Sequence, residues 1–230
     1  LVQNSSPYTV SMLNSTTGMM MTSNGRLWQG SDSSGNTIFQ NNGFMSTNVL
    51  TGANTVPVWY SAGRNHFVNN GTICSTLGNQ ECEGTPNNLK QDVLQLAGAS
   101  TMLNRGIITG PGVGSNKRAV IIGDGQTTST LVNHGMITGE WVVDPNKVTV
   151  VNGPDGVVGS GAETTWLVKS SQGTTPFTWA NFGHAYTRNN GVMAIGFTTE
   201  QLTNPSTILL QRNALMQGVV DSSQYVLYAA

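Results

Sequence analysis

Charge is scarce in this chain. Asp, Glu, Lys and Arg make up only 9% of its 230 residues, against roughly 25% in an ordinary globular domain. With a formal net charge of −1 it offers no general basic field, so neither nucleic acid nor an anionic membrane surface is favoured as a partner. No apolar run approaches the roughly 20 residues needed to span a bilayer. The first residue is Leu1, with no basic-then-apolar leader after it, and the chain is expected to be a portion of a longer protein. Helical periodicity is almost missing. The surface must therefore be made of Ser, Thr, Asn, Gln and Gly.

Cysteine is scarce as well, with two residues. Cys74 and Cys82 lie close together in the stretch CSTLGNQEC, which suits a short-range disulfide formed in an oxidising compartment. Glu81 and Glu83 flank Cys82, yet carboxylates beside a lone cysteine pair make a poor zinc signature. Free or metal-bound thiols are the alternative, and no metal site is expected.

What is present is a repeat. The segments IFQNNGFM, FVNNGTI, MLNRGII, LVNHGMI and TRNNGVM carry Gly43, Gly71, Gly106, Gly135 and Gly191, spaced by 28, 35, 29 and 56 residues. One coil is thus about 28 residues, and self-similarity at such a period points to a solenoid. TSNGRLW around Gly25 and LLQRNALM around Asn213 fit at the ends, and a degenerate coil is expected near WLVKSSQG. Seven or eight coils follow.

Two positions before the glycine the column reads Ser23, Asn41, Asn69, Asn104, Asn133, Asn189 and Gln211. Two positions after, it reads Leu27, Met45, Ile73, Ile108, Ile137, Met193 and Leu215. A polar column that can stack amide on amide and an apolar interior column are therefore expected. The glycines, with Asn213 in the same role, are read as bend positions in a left-handed backbone conformation.

Further short strands stand out in DVLQLAG, RAVIIGDG, EWVVD, KVTVVNG and STILLQ. With no amphipathic helices between them, they predict an all-β right-handed parallel β-helix in a single domain spanning 1–230; an antiparallel sandwich is the runner-up. The long interval between Gly71 and Gly106 falls on the cysteine stretch, which reads as an excursion loop clipped by the disulfide.

The segments FVNNGTI, MLNRGIITG and LVNHGMITG resemble, as a repeat style over Gly25 to Asn213, the coils of bacterial type V secreted proteins, the autotransporter passenger domains. The resemblance implies export across the outer membrane to the cell surface or beyond, and a passenger with few, closely spaced cysteines. The family's C-terminal membrane barrel is not in the sequence. Neither the GDSGS-type motif of the serine-protease members nor the NPNG-type motif of the two-partner exoproteins occurs, which points to the adhesin and self-association branch.

Parallel β-helices also carry polysaccharide-cleaving enzymes, which need clustered carboxylates. Here Asp92, Asp124, Glu140, Asp144 and Asp155 are scattered. GHAYTR, with His184 and Arg188, is faintly similar to elements of galacturonan hydrolases but lacks their paired aspartates. No G-x-S-x-G elbow accompanies His66, His134 or His184, and His134 reads as a solvated turn residue. NGPDGVVGSGAE around Asp155 and GDGQ around Asp124 read as turns, not as calcium or phosphate cradles.

Among five tryptophans, Trp141 and Trp179 lie near turns and, with Tyr186, are the candidate ligand contacts, since large rings with a polar handle suit sugars and proteins. The expected function is a virulence- or biofilm-associated surface adhesin that binds a host protein, a glycan or another copy of itself. It needs no cofactor and has no catalytic residues. A carbohydrate-cleaving enzyme and a structural stalk are the alternatives.

Overall fold

The computed structural model describes residues 2–4, 7–23, 26–30, 34–49, 57–77, 92–110, 118–139, 141–145, 147–159, 164–170, 178–186, 192–197, 207–210, 215–217, 219–221 and 226–229. Every regular element among them is a β-strand, and the strands form three sheets of nine, nine and eight members. Within a sheet each strand pairs with the one three places later in chain order. In the first sheet Trp28–Gly30 pairs in parallel with Trp59–Ser61, then comes Leu94–Leu96, then Arg118–Ile122. The second sheet runs through Asn36–Asn41, Arg64–Asn69, Ser100–Asn104, Ser129–Asn133, Val148–Asn152 and Thr178–Asn181. The third includes Phe44–Val49, Thr72–Leu77, Ile107–Thr109 and Met136–Thr138. Visiting the three sheets in turn and advancing one strand each time is the path of a β-solenoid.

Short strands with alternating burial explain why this sequence winds in that way. A strand sends successive side chains to opposite faces, and Ser129–Asn133 and Val148–Asn152 each alternate buried and half-buried residues. Stacking in register turns each inward position into a column. Phe39, Phe67, Met102, Leu131, Val150 and Trp179 form one in the second sheet, and Met45, Ile73, Ile108 and Ile137 form another in the third. Trp28 and Trp59 of the first sheet stack at 5.4 Å, and Phe39 stacks on Trp59 at 4.2 Å.

The polar column is an amide ladder. Asn14, Asn41, Asn69, Asn104, Asn133, Asn152 and Asn181 each end a second-sheet strand, all buried. Each Nδ2 donates to the Oδ1 of the next, at 2.7–2.8 Å. The Nδ2 of Asn41, Asn104, Asn133 and Asn181 also donates to the glycine carbonyl two residues on. Buried amides are costly unless satisfied, and here each satisfies its neighbour.

Two expectations need correction. The ladder's membership is the first. Asn14, Asn152 and Asn181 occupy it in place of Ser23, Asn189 and Gln211: Ser23 pairs with Asn48 in the third sheet, while Asn189 and Gln211 lie outside the described residues. The cause is one short coil, since Asn133 and Asn152 are only 19 residues apart, so a 28-residue ruler overshoots. The strands after Gly25 and Gly191, Trp28–Gly30 and Val192–Phe197, belong to the first sheet, and those two glycines and Asn213 are outside the described residues. Leu27 is buried in the core but precedes the first-sheet strand Trp28–Gly30 and does not stand in the third-sheet column. Met193 pairs with Thr165 in the first sheet, and Leu215 with His184 in the third.

The second correction concerns why glycine stands at the corner between second and third sheets. Gly43, Gly71, Gly106 and Gly135 are not in the left-handed region, whereas Gly98, at φ 78°, is. A Cβ on Gly71, Gly106 or Gly135 would collide with the carbonyl oxygen of the corner glycine one coil earlier. Closeness of adjacent coils, not backbone handedness, imposes glycine there.

Candidate functional site

The chemistry-bearing side chains are dispersed. Asp92 is buried and bound to Arg118, which donates from its backbone N at 2.7 Å, from Nε at 3.2 Å and from Nη2 at 2.9 Å. That carboxylate ties the segment before Leu94–Leu96 to the start of the next first-sheet strand. Asp124 accepts from the backbone N–H of Gln126 and of Thr127 at 2.8 Å each, and from the Thr127 hydroxyl at 2.9 Å. Desolvation acts to raise its pKa, and these hydrogen bonds outweigh it, leaving the carboxyl below the usual aspartate range. Both carboxylates serve turns or joins. Asp155 is exposed in the turn between Val148–Asn152 and Val157–Gly159.

His184 opens the third-sheet strand His184–Tyr186, between Val157 and Leu215. Arg188 and Glu140 lie outside the described residues. Asp144 is in the first-sheet strand Trp141–Pro145, opposite Ile121. Among the described residues no three His, Cys, Asp or Glu side chains gather into a group that could hold a metal. His66 Nδ1 shares a 2.9 Å hydrogen bond with Thr101 Oγ1 on the outer face of the second sheet, and His134 is an exposed corner residue.

The aromatic candidates separate. Trp179 is 1% exposed and packs in the core beneath Val150, so it is not a surface contact: its position on the strand points inward, and nearness to a turn did not matter. Trp141 lies opposite Arg118 and Trp166 in the first sheet, and Tyr186 opposite Gly159 and Gln217 in the third. The three residues are not brought together in one sheet. Cys74 is fully buried on the strand Thr72–Leu77, and Cys82 is outside the described residues.

What the surface offers instead is repetition. Along the corner that holds the ladder, Asn42, Asn70, Arg105 and His134 follow the ladder asparagines, each backbone N bonding the asparagine carbonyl one coil earlier. Asn70 Nδ2 donates to Asn42 Oδ1 at 2.8 Å, and Gln40 Nε2 joins at 2.9 Å. On either side run apolar outer columns: Val68, Leu103, Val132 and Val151 on the second sheet, and Phe44, Ile107, Met136 and Val157 on the third, where Thr72 sits between Phe44 and Ile107.

No family model, no curated protein and no solved structure matches this chain. Sequence reasoning missed the outer columns because it followed only the positions flanking the corner glycine, whereas the register couples every second residue of each strand to its counterpart in the next coil.

Proposed function

We propose that this chain is part of a bacterial surface adhesin, exported like the autotransporter passengers it resembles, that binds through many weak contacts along its solenoid. In this reading the winding is right-handed with seven or eight complete coils, and a Cys74–Cys82 disulfide clips the excursion loop. The partner is a host surface protein, a glycan or a second copy of the chain.

The observation that carries the reading is the continuation of outer columns from coil to coil, polar at the corner with Asn42, Asn70, Arg105 and His134 and apolar on either side. One hydrogen bond from the corner column is worth about 0.5–1.5 kcal/mol net, so attachment has to sum over repeats, as multivalent contacts do. The test is retention of the purified chain on immobilised polysaccharides, matrix proteins and itself, with assay for newly released sugar ends. Retention without release is expected, and it should survive any single surface substitution but not replacement of a whole face. Released ends would overturn the reading in favour of a carbohydrate-cleaving enzyme and send mutagenesis to His184; no retention at all would leave a stalk.

A further inference from the structure

On the outer face of the second sheet a threonine column runs beside the aliphatic column of Leu103, Val132 and Val151. Thr101, Thr130, Thr149 and Thr178 stand opposite one another in four successive strands. Two residues further along stand the half-buried Leu103, Val132 and Val151 and the buried Ala180, equally in register. The sequence pattern is Thr, an inward residue, then an aliphatic residue, repeated in STMLN, STLVN, VTVVN and TWAN.

The geometry of such an array is set by the backbone. Strands stack about 4.8 Å apart, and alternate residues of one strand are roughly 6.6 Å apart. The face is thus a grid of hydroxyl and methyl groups with those two repeats. Threonine and valine are stiff at their first side-chain torsion, so the grid is held without large entropy loss on binding. Wide sheets ordinarily twist, and side-chain ladders are among the devices that flatten them; the asparagine ladder ends the same strands.

The chemistry narrows the occupant. None of these eight positions is charged, which gives an ionic ligand no anchor, and none is aromatic, which gives a sugar ring no stacking platform. The hydroxyls of Thr130, Thr149 and Thr178 make no hydrogen bond with another described residue, while Thr101 is engaged by His66 and the Asn65 carbonyl. A partner must be uncharged, periodic at about the strand spacing, able to bond a row of hydroxyls, and able to cover a row of methyl groups. An ordered water lattice meets all four conditions, because hexagonal ice repeats along one axis at close to the strand separation.

We infer that the Thr/aliphatic face of the second sheet binds ice. This does not rest on the adhesin reading and would add a binding activity of its own to the solenoid. The purified chain is tested for partition into a slowly grown ice hemisphere and for thermal hysteresis, alongside Thr149→Lys, Thr149→Val and, on the outer face of the third sheet, Thr72→Lys. Unfolding temperature and circular dichroism are recorded for each variant.

Enrichment in ice is expected for the parent and for Thr72→Lys, with loss in Thr149→Lys and partial retention in Thr149→Val, which keeps shape and methyl groups without the hydroxyl. Exclusion of the parent from ice overturns the inference, as does enrichment unchanged by a folded Thr149→Lys. Should Thr149→Lys unfold, Thr149→Val decides: enrichment and hysteresis equal to the parent would overturn it. A concentration-dependent dimer that Thr149→Lys or Thr149→Val dissolves, without ice enrichment of the parent, would assign the face to a second copy and equally overturn it.

Discussion

Asn104 Nδ2 donates to Asn133 Oδ1 at 2.7 Å, while Asn104 Oδ1 accepts from Asn69 Nδ2 at 2.8 Å. One side chain thus satisfies the coil before it and the coil after it. Replacing Asn104 with Leu removes both bonds and leaves two buried polar atoms short of a partner. Each such loss costs about 1–3 kcal/mol, so Asn104→Leu should lower stability by about 2–5 kcal/mol in urea unfolding. A change below 1 kcal/mol would mean that the ladder specifies register without adding stability.

At Gly106 the obstacle to a side chain is the Gly71 carbonyl. Overpacking of this kind costs about 1–3 kcal/mol. The diagnostic comparison is Gly106→Ala with Gly106→Asn. Where a left-handed backbone demands glycine, Asn is tolerated better than Ala; at Gly106, where the carbonyl is the bar, the larger Asn should be worse than Ala. Thermal melts of the two variants decide between the two causes.

Trp59 is fully buried, stacked on Trp28 and Phe39 and edge-on to Phe67 at 5.6 Å. Trp59→Ala should cost about 3–5 kcal/mol and remove much of the near-ultraviolet circular dichroism, whereas Trp59→Phe should keep the fold with a smaller loss.

Asp92→Ala should destabilise by about 1–3 kcal/mol, since the carboxylate accepts both the Arg118 backbone N–H and its guanidinium. Arg118→Lys keeps the charge and the backbone bond but not the forked geometry. It should fall between parent and Asp92→Ala, as judged by urea midpoints.

Asp124 gives a pH signature. Its folded pKa lies below the ordinary value of 3.8, so its ionised form favours the folded state. That contribution is complete above the unfolded pKa and is lost as pH falls through the depressed folded value. Melting temperatures of parent and Asp124→Asn should therefore differ by a constant amount near neutrality and converge on acidification below the ordinary aspartate range. Parallel curves at all pH values would remove Asp124 as a source of acid sensitivity.

The parallel solenoid architecture was legible because Asn41, Asn69, Asn104 and Asn133 recur two residues before a glycine, and glycine and asparagine are hard to replace at such a corner. Asn14, Asn152 and Asn181 were not legible as members. In the coils of Asn14 and Asn152 the corner is two residues longer, so Gly18 and Gly156 stand four residues after the asparagine, and the coil from Asn133 to Asn152 is short. The candidate contacts fared differently because Trp179 differs from an exposed residue only by parity along its strand, and parity needs the register. The Thr149 and Val151 columns were hidden for the same reason: each strand alone reads as ordinary alternation, and only pairing to Thr130 and Val132 makes it an array.

The amide ladder also has a direction. Every link from Asn14 to Asn181 runs with the donor on the earlier coil and the acceptor on the later one. The side-chain dipoles therefore add along the axis, and the column is electrically unlike at its two ends. A coil stacked in the reverse sense would set donor against donor or acceptor against acceptor, so the ladder accepts a neighbouring coil in one polarity only.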